Sequence, residues 1–281
     1  MKNCRLRQQL TMDHRNSIII YMSKIVWITG ASSGIGEALV YEFFKAGDKL
    51  IISGRNRDEL FRVKSNCQNS FNVHVLPFDL SETESLLEKA QDAVKIFGKI
   101  DLLINSGGVS QRSMALETDL KTEQQILATN FWGTVNLSKA VLPSMIKNGG
   151  GQIVVISSLV GKFGTKLRSA YAASKHALHG YFDSLRCEVY DQNIGITIVC
   201  PGFIKTNVTY NALTGDGKPL NIMGEAHNHA MSPAQCASEI VKAIQAKKEE
   251  VYIGGKEIKA IWLKRFFPKI FSKKVREAKV I

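Results

Sequence analysis

Short apolar, β-branched runs alternate along the chain with stretches whose apolar residues recur at helical spacing. The first run, residues 25–29, stops at Gly30, and Leu39, Val40, Phe43 and Phe44 then mark one face of a helix over 37–45. Runs at 49–53, 72–77, 100–105, 152–157 and 195–200 repeat the strand pattern, separated by helical stretches such as 83–97, 119–146 and 169–192. A last strand is predicted at 250–253, after a helix over 233–246 that opens with Ser232 as N-cap and Pro233 at its first position. Strands alternating with helices imply an α/β domain of three layers, a doubly wound parallel sheet with helices on both faces. Residues 207–231 break the pattern and are expected to form a mobile loop or short helices over a substrate site.

At 281 residues, with 44% hydrophobic and 22% charged residues, the chain has the composition of one globular domain. Residues 23–255 hold the periodic pattern, and the polar stretch 1–22 is expected to be a disordered or non-native extension, with Met22 as the native start. The net charge of +12 is concentrated at the ends. Residues 256–281 carry nine Lys/Arg against two Glu and residues 1–22 four against one Asp, which accounts for all but two of the excess charges. The body therefore has no basic face for nucleic acid.

The basic tail 256–281 interleaves Ile258, Ile261, Trp262, Leu263, Phe266, Phe267, Ile270 and Phe271 with its lysines and arginines. Such an amphipathic segment suits peripheral contact with an anionic membrane surface, the body of the protein, or another subunit. No window reaches the roughly 20 apolar residues that a membrane helix needs. Five widely spaced cysteines without a Cys-x-x-Cys pair fit a reducing compartment and point to the cytoplasm. No metal site is expected: His176 and His179 have no acidic neighbour at ligand spacing and are assigned to helix packing or surface.

Two local patterns carry chemistry. Between the first strand and its helix lies Gly30-Ala31-Ser32-Ser33-Gly34-Ile35-Gly36, where absent side chains let backbone N–H groups approach a pyrophosphate; a tight strand-to-helix turn would need glycines in any case. At the end of the second strand, where an acid would select NAD, the chain has Ser53-Gly54-Arg55. The Arg55 guanidinium and Ser53 hydroxyl suit a 2′-phosphate, the lesser alternative being that Arg55 and Arg57 are solvated loop charges. The second pattern is Tyr171 and Lys175, four apart on one helix face. An adjacent ammonium lowers a phenol's pKa, and Lys175 is expected to supply that charge. Ser158, thirteen residues before Tyr171 at a strand end, can polarise a carbonyl oxygen.

The spacing Gly30-x-x-x-Gly34-x-Gly36, with Asn105-Ser106-Gly107-Gly108, Asn130, Ser157-Ser158, Tyr171-x-x-x-Lys175 and Pro201-Gly202-x-Ile204-x-Thr206, resembles the short-chain dehydrogenase/reductase family in order and spacing over residues 23–255. The stretch 103–134 and the ending 262–268 resemble the branch that includes the dehydrogenase/reductase member 7 group. Ser106-Gly107 departs from the family's usual Asn-Ala.

The resemblance implies a Rossmann fold, NADP(H) in preference to NAD(H), and interconversion of a carbonyl and an alcohol with Tyr171 as general acid/base. It further implies that Asp79 holds the adenine end, Asn105 and Gly107 the adjacent ribose, Ile204 and Thr206 the nicotinamide amide, and Lys175 the nicotinamide ribose. Asn130 would hold a water linking Lys175 to solvent. Asp79 can equally be a helix N-cap, and Asn130 otherwise reads as a helix kink or capping residue. A homodimer or homotetramer through 119–146 and 169–192 is implied as well. Phe163, Met114, Phe203 and Met223 hint at an apolar substrate pocket and could also be core. A dinucleotide-binding regulatory protein without turnover is the competing reading.

Overall fold

The computed structural model describes residues 10–12, 18–20, 23–68, 70–222 and 230–278. Two short strands, β1 (Leu10–Met12) and β2 (Ile18–Ile20), pair antiparallel within the segment expected to be a disordered or non-native extension. The rest of that extension lies outside the described residues, and so do Met22 and Met223.

Seven strands form one sheet: β3 (Ile25–Thr29), β4 (Lys49–Ser53), β5 (Val73–Val75), β6 (Leu102–Asn105), β7 (Gly151–Ile156), β8 (Ile194–Pro201) and β9 (Glu250–Ile253). Their spatial order is β5-β4-β3-β6-β7-β8-β9, and every pairing is parallel. A parallel sheet is covered on both faces, which is why its strands read as continuous apolar runs. All five positions of β3 are buried. Alternate residues divide between two cores. Trp27, Ile51, Leu103 and Ile153 pack with α3 (Leu86–Phe97), α5 (Gly133–Lys147) and α6 (Ser169–Glu188). Ile28, Leu50, Ile104 and Val154 pack with α1 (Gly34–Lys45), α2 (Arg57–Ser65) and α7 (Pro233–Gln245).

The α7 start follows the sequence: Ser232 Oγ accepts from Gln235 N at 3.2 Å, Gln235 Oε1 accepts from Ser232 N at 3.2 Å, and Pro233 occupies the first turn. The predicted helix over 119–146 is instead interrupted. It runs as α4 (Leu120–Leu127), one π turn (Ala128–Trp132) and α5, so that Asn130 lies in the irregular turn. Beyond β9 the chain continues as α8 (Lys259–Phe266) and α9 (Pro268–Glu277). Ile258, Ile261 and Phe271 pack on the body, and Phe271 meets the Phe163 ring edge-on at 5.3 Å. Phe163 is thus core. Trp262, Phe266, Phe267 and Ile270 face outward.

Candidate active site

Strand order reverses between β3 and β6, and a crevice opens there at the carboxyl ends of the strands. It widens into a cavity of about 780 Å³. Of the residues singled out in the sequence, the cavity wall contains Gly30, Ser32, Ser33, Gly34, Ile35, Gly36, Arg55, Asp79, Gly107, Ser158, Tyr171, Lys175, Pro201, Gly202, Ile204 and Thr206. Ser53, Asn105 and Asn130 are absent from that wall, as are Met114, Phe163 and Phe203.

The glycine turn is fixed by close backbone approach. Gly30 has φ +64°, and a Cβ there would meet the Gly107 backbone at 2.7 Å. A Cβ on Gly36 would collide with the Gly30 carbonyl, so helix α1 can leave the sheet only at glycine. Thr29 Oγ1 accepts from Ser106 N at 3.2 Å and Gly107 N at 3.3 Å, which ties the turn after β6 to the end of β3. Arg62 binds Glu37 and donates to the Ser32 carbonyl at 3.2 Å, bracing the turn from α2. The turn thereby presents backbone to the cavity, a cradle that fits a dinucleotide pyrophosphate.

Arg55 and Asp79 face the cavity together, 4.0 Å apart, with the arginine side chain 60% exposed. Asp79 Oδ1 also accepts from Ser81 N at 2.9 Å and Ser81 Oγ at 2.8 Å, so it closes a local turn as well. The expectation for Ser53 is corrected. Its hydroxyl is fully buried and accepts from Trp27 Nε1 at 2.9 Å, inside the sheet rather than at its edge. Asn105 is likewise buried, and its Nδ2 donates to Ser138 Oγ at 3.0 Å.

Tyr171 stands in the first turn of α6, and its side chain shares the cavity wall with Ser158, which acts to lower the phenol's pKa. The neighbouring Ser157 also lines the cavity, but its hydroxyl is engaged with the Lys175 carbonyl at 3.2 Å and His179 Nε2 at 3.0 Å. Lys175 Nζ lies 5.8 Å from the Tyr171 ring centre and donates to the Ile156 carbonyl at 2.8 Å. Burial pulls this ammonium down to about 8.

The electrostatics differ from the sequence expectation. Burial outweighs every charge on Tyr171 and holds its phenol above the ordinary value, opposed by Arg168, Ser158 and Arg112. Arg168 and Arg112, which the sequence reading did not name, both act to lower it. Asn130 is fully buried; its Oδ1 accepts from Val109 N at 2.8 Å, and its Nδ2 donates to Val109 O at 2.9 Å and Ser174 Oγ at 3.0 Å. A Cβ on Gly108 would lie 3.0 Å from Asn130 Oδ1 and 3.6 Å from Lys175 Nζ, so both side chains lie close to Gly108 of the wall.

Sequence reasoning passed over Gln111, Arg112 and Arg168. The Gln111 side chain is buried, receives Tyr171 N at 3.2 Å, and donates to Ser113, Thr118 and Ser169, which fixes the start of α6. Nothing periodic marks these residues, because they lie in loops that meet only in the fold. The acidic neighbour missing around His179 is also supplied from afar. Glu250 on β9 reaches His179 Nδ1 at 3.5 Å, and one ligand-type atom each of His179, Cys200 and Glu250 lies within 4.8 Å of the others. Lys162 already holds that carboxylate at 2.7 Å.

Residues 24–216 match the family described as short chain dehydrogenase. The chain is 41% identical over 273 residues to a dehydrogenase/reductase SDR family protein 7-like of Anopheles gambiae, covering 95% of this chain and 84% of that one. It is 37% identical to dehydrogenase/reductase SDR family member 7B of Xenopus tropicalis, covering 88% and 82%. Among solved structures, a short-chain dehydrogenase from Streptomyces avermitilis superposes with a TM-score of 0.77 at 25% identity, covering 90% of this chain and 95% of that one. An alcohol dehydrogenase from Thermococcus sibiricus, complexed with 5-hydroxy-NADP, gives a TM-score of 0.71 at 24% identity, covering 84% and 97%.

Proposed function

We propose that this chain, which belongs to the short-chain dehydrogenase/reductase family, is an NADP(H)-dependent oxidoreductase that interconverts a carbonyl and a secondary alcohol. The observation that carries the reading is that Ser158, Tyr171 and Lys175 share the wall of one cavity whose other end is the glycine turn. The residues fit a dinucleotide: backbone at 30–36 for the pyrophosphate, Arg55 for a 2′-phosphate, and Lys175 with Ile204 and Thr206 for the nicotinamide end. When bound, the nicotinamide supplies two electrons as hydride to the carbonyl carbon. Tyr171 gives its phenolic proton to the carbonyl oxygen, and Ser158 donates a hydrogen bond to the same oxygen. Lys175, its ammonium depressed to about 8, can return a proton to the phenolate near neutral pH. Asn130 acts on this wall by clamping the Val109 backbone. Alcohol oxidation is the reverse.

Free Cys67, Cys187, Cys200 and Cys236 support residence in a reducing compartment, the cytoplasm. The outward Trp262, Phe266, Phe267 and Ile270, set among basic residues, support peripheral contact of α8 and α9 with an anionic membrane surface. Trp132, half exposed at the end of the π turn that leads into α5, supports association of two copies through α5 and α6.

The test is nucleotide consumption with a panel of aldehydes, ketones and 3-oxoacyl compounds, run with NADPH and with NADH, on the wild type and Arg55→Asp. The expected result is turnover that favours NADPH, with the preference reversed or abolished by the substitution. Tight NADPH binding without turnover on any member would favour the regulatory reading, and equal losses for both nucleotides would remove Arg55 from cofactor selection.

A further inference from the structure

The stretch Pro201–Thr206 leaves the end of β8, and Pro201, Gly202, Ile204 and Thr206 all line the cavity. Its far end approaches the glycine turn, since a Cβ on Gly34 would lie 3.0 Å from Thr206 Cγ2. The path of this stretch therefore decides how the nicotinamide end of the wall lies relative to the pyrophosphate cradle. Backbone hydrogen bonds hold it at two places. Gly202 N donates to the Ile253 carbonyl at 2.7 Å, while Met231 N donates to Phe203 O at 3.0 Å and Lys205 N to Met231 O at 2.9 Å. The third anchor is a side chain from the start of the basic tail. Glu257, in the short turn Lys256–Ile258 beyond β9, accepts from Phe203 N at 3.1 Å through Oε1.

A purely local role for Glu257 would need only Gly255, whose N–H donates to the same oxygen at 3.0 Å. The surroundings of the carboxylate point further. A Cβ on Gly202 would displace it, one on Gly254 would lie 2.6 Å from Oε1, and one on Gly255 would lie 3.0 Å from Oε2. Neither Gly202 nor Gly254 has a positive φ, so what a side chain would violate at these two positions is the space that the carboxylate fills. Gly202 belongs to the cavity wall and Gly254 to the segment after β9, and the carboxylate occupies the gap between them. Ile258, the next residue, packs against the core and fixes the turn that carries Glu257. An amide bonded to a carboxylate is held more firmly than one bonded to a neutral acceptor.

We infer that Glu257 is a positioning residue for the nicotinamide half of the cofactor: it holds Gly202 and Phe203 so that the stretch 201–206 is already formed in the free protein. The inference rests on the reading above, which places the nicotinamide against Ile204 and Thr206. A binding element that is formed only part of the time weakens apparent affinity by the fraction formed, so loosening the stretch to one tenth costs about 10-fold. Only a ligand that uses the stretch bears that cost. NADPH does, whereas its fragment 2′-phospho-ADP-ribose keeps the phosphates and lacks the nicotinamide.

The experiment measures calorimetric binding of NADPH and of 2′-phospho-ADP-ribose to the full chain as wild type, Glu257→Gln, Glu257→Asp and Glu257→Ala. Amide exchange of the peptide spanning 201–206 is followed by mass spectrometry without ligand. Aspartate keeps the charge but is one methylene short of the Phe203 amide, and glutamine keeps the acceptor oxygen at full reach. The expected result is an NADPH affinity about 10-fold lower in the aspartate and alanine variants, with the fragment within about twofold of wild type and glutamine within about threefold for both ligands. Exchange at 202–206 should be faster in the aspartate and alanine variants and near wild type in glutamine. A general loss of structure would weaken both ligands together, so an equal loss for the two would overturn the inference, as would unchanged exchange at 202–206. If the wild type bound NADPH no tighter than the fragment while exchange still quickened in Glu257→Ala, the clamp would stand and the placement of the nicotinamide would be refuted.

Discussion

Replacing Asn130 by alanine tests how the wall beside Lys175 is held. The side chain is fully buried and spans the Val109 amide, accepting its N–H at 2.8 Å and bonding its carbonyl at 2.9 Å. It also donates to Ser174 Oγ, but that hydroxyl keeps its own bond to the Tyr171 carbonyl at 2.8 Å and loses little. Two backbone groups are thus orphaned, each costing about 1–3 kcal/mol when buried. Val109 borders the cavity, where water can reach, so the lower half of the range applies and the sum is about 2–4 kcal/mol. For a chain of this size that lowers the melting temperature by about 5–10 °C. Asn130→Asp keeps the acceptor and loses the donor, and should fall between. The assay is thermal unfolding followed by circular dichroism without nucleotide. A melting point of Asn130→Ala within about 1 °C of wild type would refute the clamp and show that water satisfies Val109.

Lys175 offers a pH-dependent test. Its folded value of about 8 lies below the ordinary lysine value because burial disfavours the ammonium. Between about 8 and the unfolded value near 10.4 the unfolded chain therefore binds more protons, and this residue adds stability as pH rises through that window. Below about 8 that contribution is absent. Urea midpoints of wild type and Lys175→Met at pH 7.5 and 9.5 should show the difference moving in favour of wild type by about 1–2 kcal/mol; a pH-independent difference would contradict the assignment. For the tail, joint replacement of the outward Trp262, Phe266 and Phe267 by serine should abolish sedimentation with phosphatidylserine vesicles and leave the fold intact. Unchanged sedimentation would dismiss membrane contact through these rings.

The parallel sheet was legible because strands buried on both faces, such as β3 with Val26 and Ile28 in one core and Trp27 in the other, must be apolar at consecutive positions. The glycine turn was legible because Gly30 and Gly36 are forced by backbone contact, and Tyr171 and Lys175 because one helix turn fixes their relation. Features that join distant segments left no local trace. Ser53 read as an edge hydroxyl until the Trp27 indole claimed it from the adjacent strand. The π turn at Asn130 has no periodic signature, and neither does its grip on Val109. The charge on Tyr171 was credited to its helix neighbour Lys175 alone, because spacing reveals what shares a helix and not what two loops deliver. Arg112 and Arg168 are brought to the phenol only by folding, and burial, which no spacing encodes, decides the direction of its shift.

The central claim is that the Tyr171 phenol transfers the proton that accompanies hydride transfer. Tyr171→Phe removes one oxygen and keeps the ring, so the direct measurement is NADPH consumption by this variant on any carbonyl the wild type turns over, with NADPH affinity measured alongside. The account predicts unchanged nucleotide binding and a loss of kcat of at least about 100-fold, the lower bound for a general acid. Turnover within a few-fold of wild type would contradict it and move the proton donor elsewhere in the cavity.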